Sequence, residues 1–379
     1  MSRQPTRTPP RAWVEVDLGA LRRNGAALAG RARVPLLAVI KADGYGLGAV
    51  RVAGALEPLD PWGFGVATVA EGIELRDAGV SRPILVLSPV LPDEYPAIRG
   101  ASLRPSLGSA STIAEWARTG GGAWHLSIDT GMNRAGISWT EISTLRETLL
   151  HGVPEGAYTH FHSADLTDDS TTEQLRRFRY VLEALPSRPR YLHAENSPAI
   201  ERGVASPWDL VRPGVFLYGV GGGDGATMSP EPVAHLRARV IDLRTVSDGE
   251  TVSYGATWRA RGARRIATLG IGYADGYRRA LSNRGIVLVN GQRASVAGIV
   301  TMDMTMVDVT DVRCEIGDVA TLIGRDGDDV LTVDDVAATA QVLSYELLVG
   351  LKLRVPRIYV NATGEIASVA AESASATRT

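Results

Sequence analysis

Between Val34 and Gly219 the chain alternates between short apolar runs and amphipathic stretches. The apolar runs fall at 36–40, 62–66, 84–87, 102–104, 124–128, 157–161, 191–193 and 210–211. Helical patterns lie among them at 68–78, 109–118, 140–150 and 171–185. A run such as 34–40 has no polar face, as expected of a strand covered on both sides in a parallel sheet. Eight such strands with helices between them predict a (β/α)8 barrel. The run at 102–104 is the weakest of the eight, being short and polar.

From about Glu231 the texture changes. Strand-like segments at 236–244, 265–269, 286–289, 294–300, 304–309 and 319–323 dominate, and Asn290-Gly291 is a strong hairpin signal. One short helix, Val333–Ala340, precedes a last segment ending at Val360. The predicted fold class is α/β: an N-terminal (β/α)8 barrel over 12–231 and a C-terminal, mostly antiparallel β domain over 232–365. Segment 13–17 alternates like a strand and is a candidate to pair with the second domain. The tails 1–11 and 366–379 are polar and expected to be disordered.

With 379 residues, 45% of them hydrophobic, the chain can bury a large core. A net charge of −2 gives no electrostatic reason to expect nucleic acid or an anionic membrane as a partner. The one cysteine, Cys314, rules out an intrachain disulfide and fits a reducing cytoplasm. No segment reads as a secretory signal or a bilayer span, so the expected location is cytoplasmic.

On a barrel of this kind chemistry gathers at the C-terminal strand ends. The first run ends abruptly in Lys41, followed by Gly44-Tyr45-Gly46. A lysine there has its stem in the core and its amine at the rim, as a Schiff-base nucleophile requires. A surface lysine passing the strand end fits the position equally well. His160 and Ser163 follow the sixth strand; His193, Asn196 and Ser197 the seventh; Arg212 and Gly214 the eighth. A phosphate site after strands seven and eight is recurrent in such barrels. A lysine, a phosphate cradle and an arginine on one mouth suggest pyridoxal phosphate.

These residues sit in motifs that resemble one family. The segments 38–46, 129–136, 193–197 and 211–214 in the first half are similar to alanine racemases, as are 252–257, 272–276, 302–304 and 354–357 in the second. The resemblance runs in order from about Trp13 to Tyr359. It implies that Lys41 holds pyridoxal 5'-phosphate as a covalent aldimine and serves one face of the substrate. Tyr254, from the partner subunit, would serve the other face, with His193 as its supporting partner. Arg212 would face the pyridine nitrogen. An arginine there only donates, leaving that nitrogen unprotonated. Tyr45, Asn196, Ser197, Gly214, Val215 and Tyr345 match the phosphate side of the cofactor site. His160 matches the histidine stacked on the ring, and Arg134 the arginine near the phenolic oxygen and the substrate carboxylate. Met302 matches a backbone contact to that carboxylate and Tyr273 a tyrosine of the substrate entrance. The implied activity is amino-acid racemisation, L-alanine to D-alanine for peptidoglycan, by a homodimer with composite sites and no metal.

Four positions depart from the family pattern. Ser127 stands where many members carry a carbamylated lysine that orients Arg134, so another group, such as an anion or water, must hold that arginine. Thr301, Ile299 and Leu47 replace a frequent cysteine, arginine and histidine. These changes leave room for a related small amino acid such as serine. Three other chemistries compete. His160 and His162 could form a metal-binding HxH pair, a barrel-fold pyridoxal-phosphate decarboxylase would share the two-domain plan, and a non-catalytic carrier would share the barrel. Cys314 does not sit in the Gly-rich loop such a decarboxylase needs, and Tyr254 in a second domain argues against a carrier.

Overall fold

The computed structural model describes residues 10–360 apart from 204 and 224. The expected disordered tails therefore lie outside the described residues, except for Pro10 and Arg11. The strands are β1 (Ala12–Asp17), β2 (Leu37–Val39), β3 (Gly63–Val66), β4 (Ile84–Pro89), β5 (Arg104–Leu107), β6 (His125–Asp129), β7 (Ile137–Ser138), β8 (Gly156–Tyr158) and β9 (Tyr191–His193). A second set follows: β10 (Ala234–Val246), β11 (Thr251–Val252), β12 (Trp258–Arg259), β13 (Arg264–Leu269), β14 (Ile286–Val289), β15 (Gln292–Val296), β16 (Thr305–Asp308), β17 (Val319–Asp326), β18 (Asp329–Leu331) and β19 (Arg357–Val360).

The first half is the parallel barrel: β2-β3-β4-β5-β6-β8-β9 in order, with β7 beside β6. Helices between the strands start where the sequence supplies caps. Thr68 and Glu71 form a capping box before Val69–Asp77, and Ser109 accepts from Thr112 N to open Ala110–Arg118. Leu37, Ala38 and Val39 are all buried, as a strand covered on both faces requires.

Three barrel strands differ from expectation. The fourth lies at Arg104–Leu107 rather than 102–104. Ser102 still has a left-handed φ of 50°, and Leu103 N bonds back to Ile98 O, closing the preceding helix. The sixth stops at Tyr158 rather than 161. The next two carbonyls, of Thr159 and His160, accept instead from the side chains of Arg212 and Gln174. The eighth forms no ladder. Residues 211–213 close the barrel through single bridges, Leu36 to Val211 and Asn196 to Arg212, with Leu37 N on Val211 O and Val39 N on Pro213 O. Pro213 has no N–H to donate, so a regular ladder cannot pass through it.

The second half is a nine-stranded sheet in the order β18-β17-β14-β15-β16-β13-β10-β1-β19. Its pairings are antiparallel except between β1 and β19. β1, the alternating segment at the start of the chain, sits between β10 and β19. The expected turn is present, with Asn290 and Gly291 at φ 50° and 74° between β14 and β15. The predicted strand 294–300 ends early, at Val296. The helix Val333–Ala340 appears at the expected bounds. Helices Leu18–Ala32, Ser197–Arg202 and Ser344–Val349 and the small β11–β12 hairpin have no counterpart in the sequence reading. The predicted helix 140–150 splits into a 3-10 turn, Ile142–Leu145, and the helix Arg146–His151. Among the described residues no helix is long and apolar enough to cross a membrane.

Candidate active site

Lys41 leaves the end of β2 into an unusual turn. Ala42, Asp43, Gly44 and Tyr45 all have positive φ, at 53°, 52°, 60° and 54°. Left-handed backbone costs an L-residue about 1–2 kcal/mol, and Gly44 alone is spared that cost. The turn is held from outside by Glu71, whose carboxylate accepts from Ala42 N at 2.8 Å, Ala67 N at 2.7 Å and Thr68 N at 3.2 Å. Asp43 Oδ1 accepts from Ala49 N at 2.8 Å and closes the other side. The result presents Lys41 at the barrel mouth while Tyr45 turns inward, stacked on Tyr218 with ring centroids 4.5 Å apart. Tyr218 is anchored by its hydroxyl on Val39 O at 3.0 Å.

Lys41, Arg134, His160 and Arg212 line one cavity of about 340 Å³, together with Ser127, Asp129, Met132 and Tyr158. Burial lowers the Lys41 pKa, the positive charge of Arg134 lowers it further, and Glu71 partly offsets both. The amine is thereby brought nearer to the neutral form that can accept a proton.

Arg212 is buried, yet its donors are nearly all accounted for. Nη1 donates to His193 Nδ1 at 2.8 Å and to His193 O at 2.9 Å. Nη2 reaches Thr159 O at 2.6 Å, Ala194 O at 3.0 Å and His160 Nδ1 at 3.3 Å. Its plane lies over Tyr158, 5.0 Å from the ring centroid. Burial lowers it to about 10, which leaves it charged at neutral pH. Because arginine can only donate, His160 and His193 must both offer a lone pair at Nδ1 and carry their proton on Nε2. Burial and the neighbouring cations hold His160 down to about 3 and His193 well below its usual value, so both rings are neutral.

The side of the mouth expected to take phosphate is built from chain turns. Ser197 Oγ accepts from Gly214 N at 2.9 Å and Phe216 N at 3.4 Å. Asn196 caps the helix behind it, its side chain accepting from Ala199 N. A Cβ on Gly214 would stand 2.8 Å from the Tyr45 hydroxyl, so only glycine lets the two come together. Val215 is buried directly after it. Tyr345 lies on helix Ser344–Val349, which returns from the second half of the chain to this mouth: a Cβ on Gly46 would stand 2.9 Å from Leu348 O.

Other predicted positions fall differently. Tyr254, Tyr273 and Met302 do not line this cavity; they are exposed, Tyr254 by 73%. They cluster on the second domain, where Ser253 Oγ bonds Ile299 O, Tyr273 N bonds Thr301 O and Ala274 N bonds Met302 O. His193 needs correction as a support for Tyr254. It is wholly buried within one chain and bonded to Arg212 and His125, so a tyrosine from another subunit cannot reach it. Leu47 is also fully buried and contributes to packing rather than to an entrance. Ser127 lines both the main cavity and a second one of about 200 Å³ beside it. His162 points away to Ser163 Oγ at 2.7 Å. Sequence reading missed Glu71, although Thr68-x-x-Glu71 is a capping-box pattern. It also missed His125, a lone histidine at a strand start that carries no local signal.

The cavity suits pyridoxal phosphate. It joins a partly buried amine, a cradle of Ser197 and backbone at Gly214, and an arginine whose Nε is its one donor without a partner among the described residues.

Residues 16–221 match the family described as alanine racemase, N-terminal domain, and residues 233–359 match alanine racemase, C-terminal domain. The chain is 40% identical over 367 residues to an alanine racemase of Carboxydothermus hydrogenoformans, covering 92% of this chain and 99% of that one. It superposes on the crystal structure of alanine racemase from E. faecalis with a TM-score of 0.87 at 32% identity, covering 92% and 98% of the two chains. The alanine racemase from Bartonella henselae, solved with covalently bound pyridoxal phosphate, matches with a TM-score of 0.86 at 30% identity over 93% and 100%.

Proposed function

The chain belongs to the alanine racemase family, and we propose from that premise how its own residues divide the work. It is a pyridoxal-phosphate-dependent racemase that interconverts L- and D-alanine. Bound pyridoxal phosphate supplies the electron sink that makes the substrate Cα–H bond acidic. Lys41 Nζ holds the cofactor and takes or returns the proton on one face of Cα, its lowered pKa keeping the amine competent as a base. Arg212 offers Nε–H to the ring nitrogen and, being a donor only, leaves that nitrogen without a proton. Ser197, Gly214, Val215, Asn196, Tyr45 and Tyr345 seat the phosphate, and Arg134 orients the carboxylate. Met302 supplies a backbone contact to that carboxylate, and Tyr273 bounds the substrate entrance.

Inversion needs a second proton donor on the opposite face. Tyr254 is assigned that role from a partner subunit, which makes the enzyme a homodimer with two composite sites. The observation that supports this reading is the division of the machinery. One chain gathers Lys41, His160 and Arg212 on its cavity while leaving Tyr254 exposed on the other domain. The support for Tyr254 falls to His160 rather than His193. His160 lines the cavity, its Nδ1 is held by Arg212, and its Nε2–H is turned away from that bond. We place the enzyme in the cytoplasm, supplying D-alanine to peptidoglycan.

Mixing two inactive variants tests the assignment. Lys41→Ala loses the cofactor's covalent absorption band, and Tyr254→Phe loses racemisation. Refolded together they form mixed dimers in which one site carries both wild-type residues. About a quarter of wild-type activity returns if the two act across subunits. No recovery on mixing, with dimers formed, refutes the composite site.

A further inference from the structure

Arg212 is the near end of a polar line that crosses the barrel interior. Its Nη1 fixes the His193 proton on Nε2, and that N–H meets His125 Nδ1 at 2.8 Å. His125 Nδ1 therefore accepts, and the His125 proton also sits on Nε2. Among the described residues that atom makes no hydrogen bond, and Glu155 Oε2 lies 3.5 Å from it. Glu155 is gripped in turn by Arg104 Nε at 2.5 Å. His125 and His193 are both completely buried. Their surroundings are built to carry the line: His193 stacks on Tyr158 with centroids 5.0 Å apart, and Trp62 packs against His125 at 5.5 Å.

The positions give the line a direction. Arg104 and His125 begin β5 and β6, and Glu155 immediately precedes β8, so all three lie at the mouth opposite the cavity. Arg212 lines the cavity itself. A group that only donates stands at one end and a carboxylate that only accepts at the other. With two neutral rings between them, one arrangement of protons suits both 2.8 Å contacts and turns the His125 Nε2–H toward Glu155. Reversing either ring sets N–H against N–H. Burial pushes both histidines below their usual range, and Glu155 is held at about 2 by His125 and Arg104 against its own desolvation.

We propose that His125 and Glu155 are positioning residues of the racemase: acting from the far mouth through His193, they fix the orientation of Arg212 and so aim its Nε–H into the cavity. The proposal rests on the reading of Arg212 as the partner of the cofactor ring nitrogen.

Two measurements test it. In the cofactor-free protein, nitrogen-15 NMR of the histidine rings at neutral pH should show His125 and His193 neutral with the proton on Nε2. The assignment comes from the signal that vanishes in His125→Asn. A charged ring, or a proton on Nδ1 of either histidine, overturns the line whatever the cofactor does. The second measurement compares His125→Leu, which removes the acceptor, with His125→Asn, whose amide oxygen can stand near the Nδ1 position. In the cofactor-loaded enzyme His125→Leu should lower kcat at least about tenfold with a much smaller change in KM, as loss of an orienting partner does, and His125→Asn should recover most of the loss. Unchanged kcat in His125→Leu, or equal loss in both variants, refutes the positioning role. Should His125→Leu fail to fold, His125→Asn with a wild-type His193 tautomer and near-normal kcat supports the proposal, and a displaced tautomer at full activity refutes it. Failure of the site reading itself shows separately, as a Lys41→Ala protein that keeps its covalent absorption band.

Discussion

Glu71 offers the sharpest perturbation, because it holds a strained turn and does not itself line the cavity. Three non-glycine residues of the turn, Ala42, Asp43 and Tyr45, are left-handed, so the segment stores about 3–6 kcal/mol relative to relaxed backbone. The Glu71 carboxylate makes one hydrogen bond to that turn, from Ala42 N at 2.8 Å, and two that tie it to the start of its own helix, from Ala67 N at 2.7 Å and Thr68 N at 3.2 Å. Bonds to a charged acceptor contribute about 1.5–3 kcal/mol each when dry, and less here because two of the three are water-exposed. Glu71→Ala should then cost about 2–4 kcal/mol of stability, enough to let the turn relax and swing Lys41 off the cavity. Glu71→Gln keeps one oxygen but faces an NH2 toward a donor, and should cost about 1–2 kcal/mol. Urea unfolding of the cofactor-free protein, read by circular dichroism and tryptophan fluorescence, gives the stability ranking. Borohydride trapping of cofactor on Lys41, read by the mass of the chain, gives the fraction of lysines correctly presented. The order wild type, Gln, Ala is expected in both. A Glu71→Ala protein within about 0.5 kcal/mol of wild type, with full trapping, would refute the claim that this carboxylate holds the turn.

Further outcomes follow from the same geometry. His160, His193 and His125 are held neutral, with His160 at about 3, so the unfolded chain binds protons below about 6.5 that the folded chain refuses. Stability should therefore fall as pH drops from about 6.5, by up to about 1.4 kcal/mol per pH unit for each histidine. Urea midpoints measured at about pH 7 and pH 5 check this, and midpoints that hold steady or rise toward acid contradict it. Gly214→Ala sets a Cβ 2.8 Å from the Tyr45 hydroxyl, which must move out of the phosphate cradle. The strain of about 1–3 kcal/mol should appear as roughly a tenfold rise in the cofactor Kd, measured by equilibrium dialysis, with the fold intact. Unchanged affinity would mean that Tyr45 does not serve the cradle.

Much of this protein is legible in its sequence because the signals are local. A strand buried on both faces must be apolar throughout, so 34–40 announces itself, and its end fixes where Lys41 stands. Asn290-Gly291 can adopt the positive φ values a two-residue hairpin demands, and does. Caps such as Thr68 and Ser109 fix helix starts for the same local reason. Other features depend on partners distant in the chain. The sixth strand stops at Tyr158 because Arg212 and Gln174 claim the next carbonyls, and the eighth is reduced to bridges around Pro213. The left-handed turn after Lys41 exists because Glu71, 29 residues on, binds its backbone. The protons on His160 and His193 are set by an arginine that can only donate, and His193 proves to be its buried anchor rather than the support of Tyr254. Periodicity marked the barrel and the strand end that carries Lys41, and the motifs similar to alanine racemases implied the chemistry. Strain, proton placement and the exposure of Tyr254 were decided by long-range packing, because hydrogen-bond partners and burial belong to the folded chain and no stretch of sequence contains them.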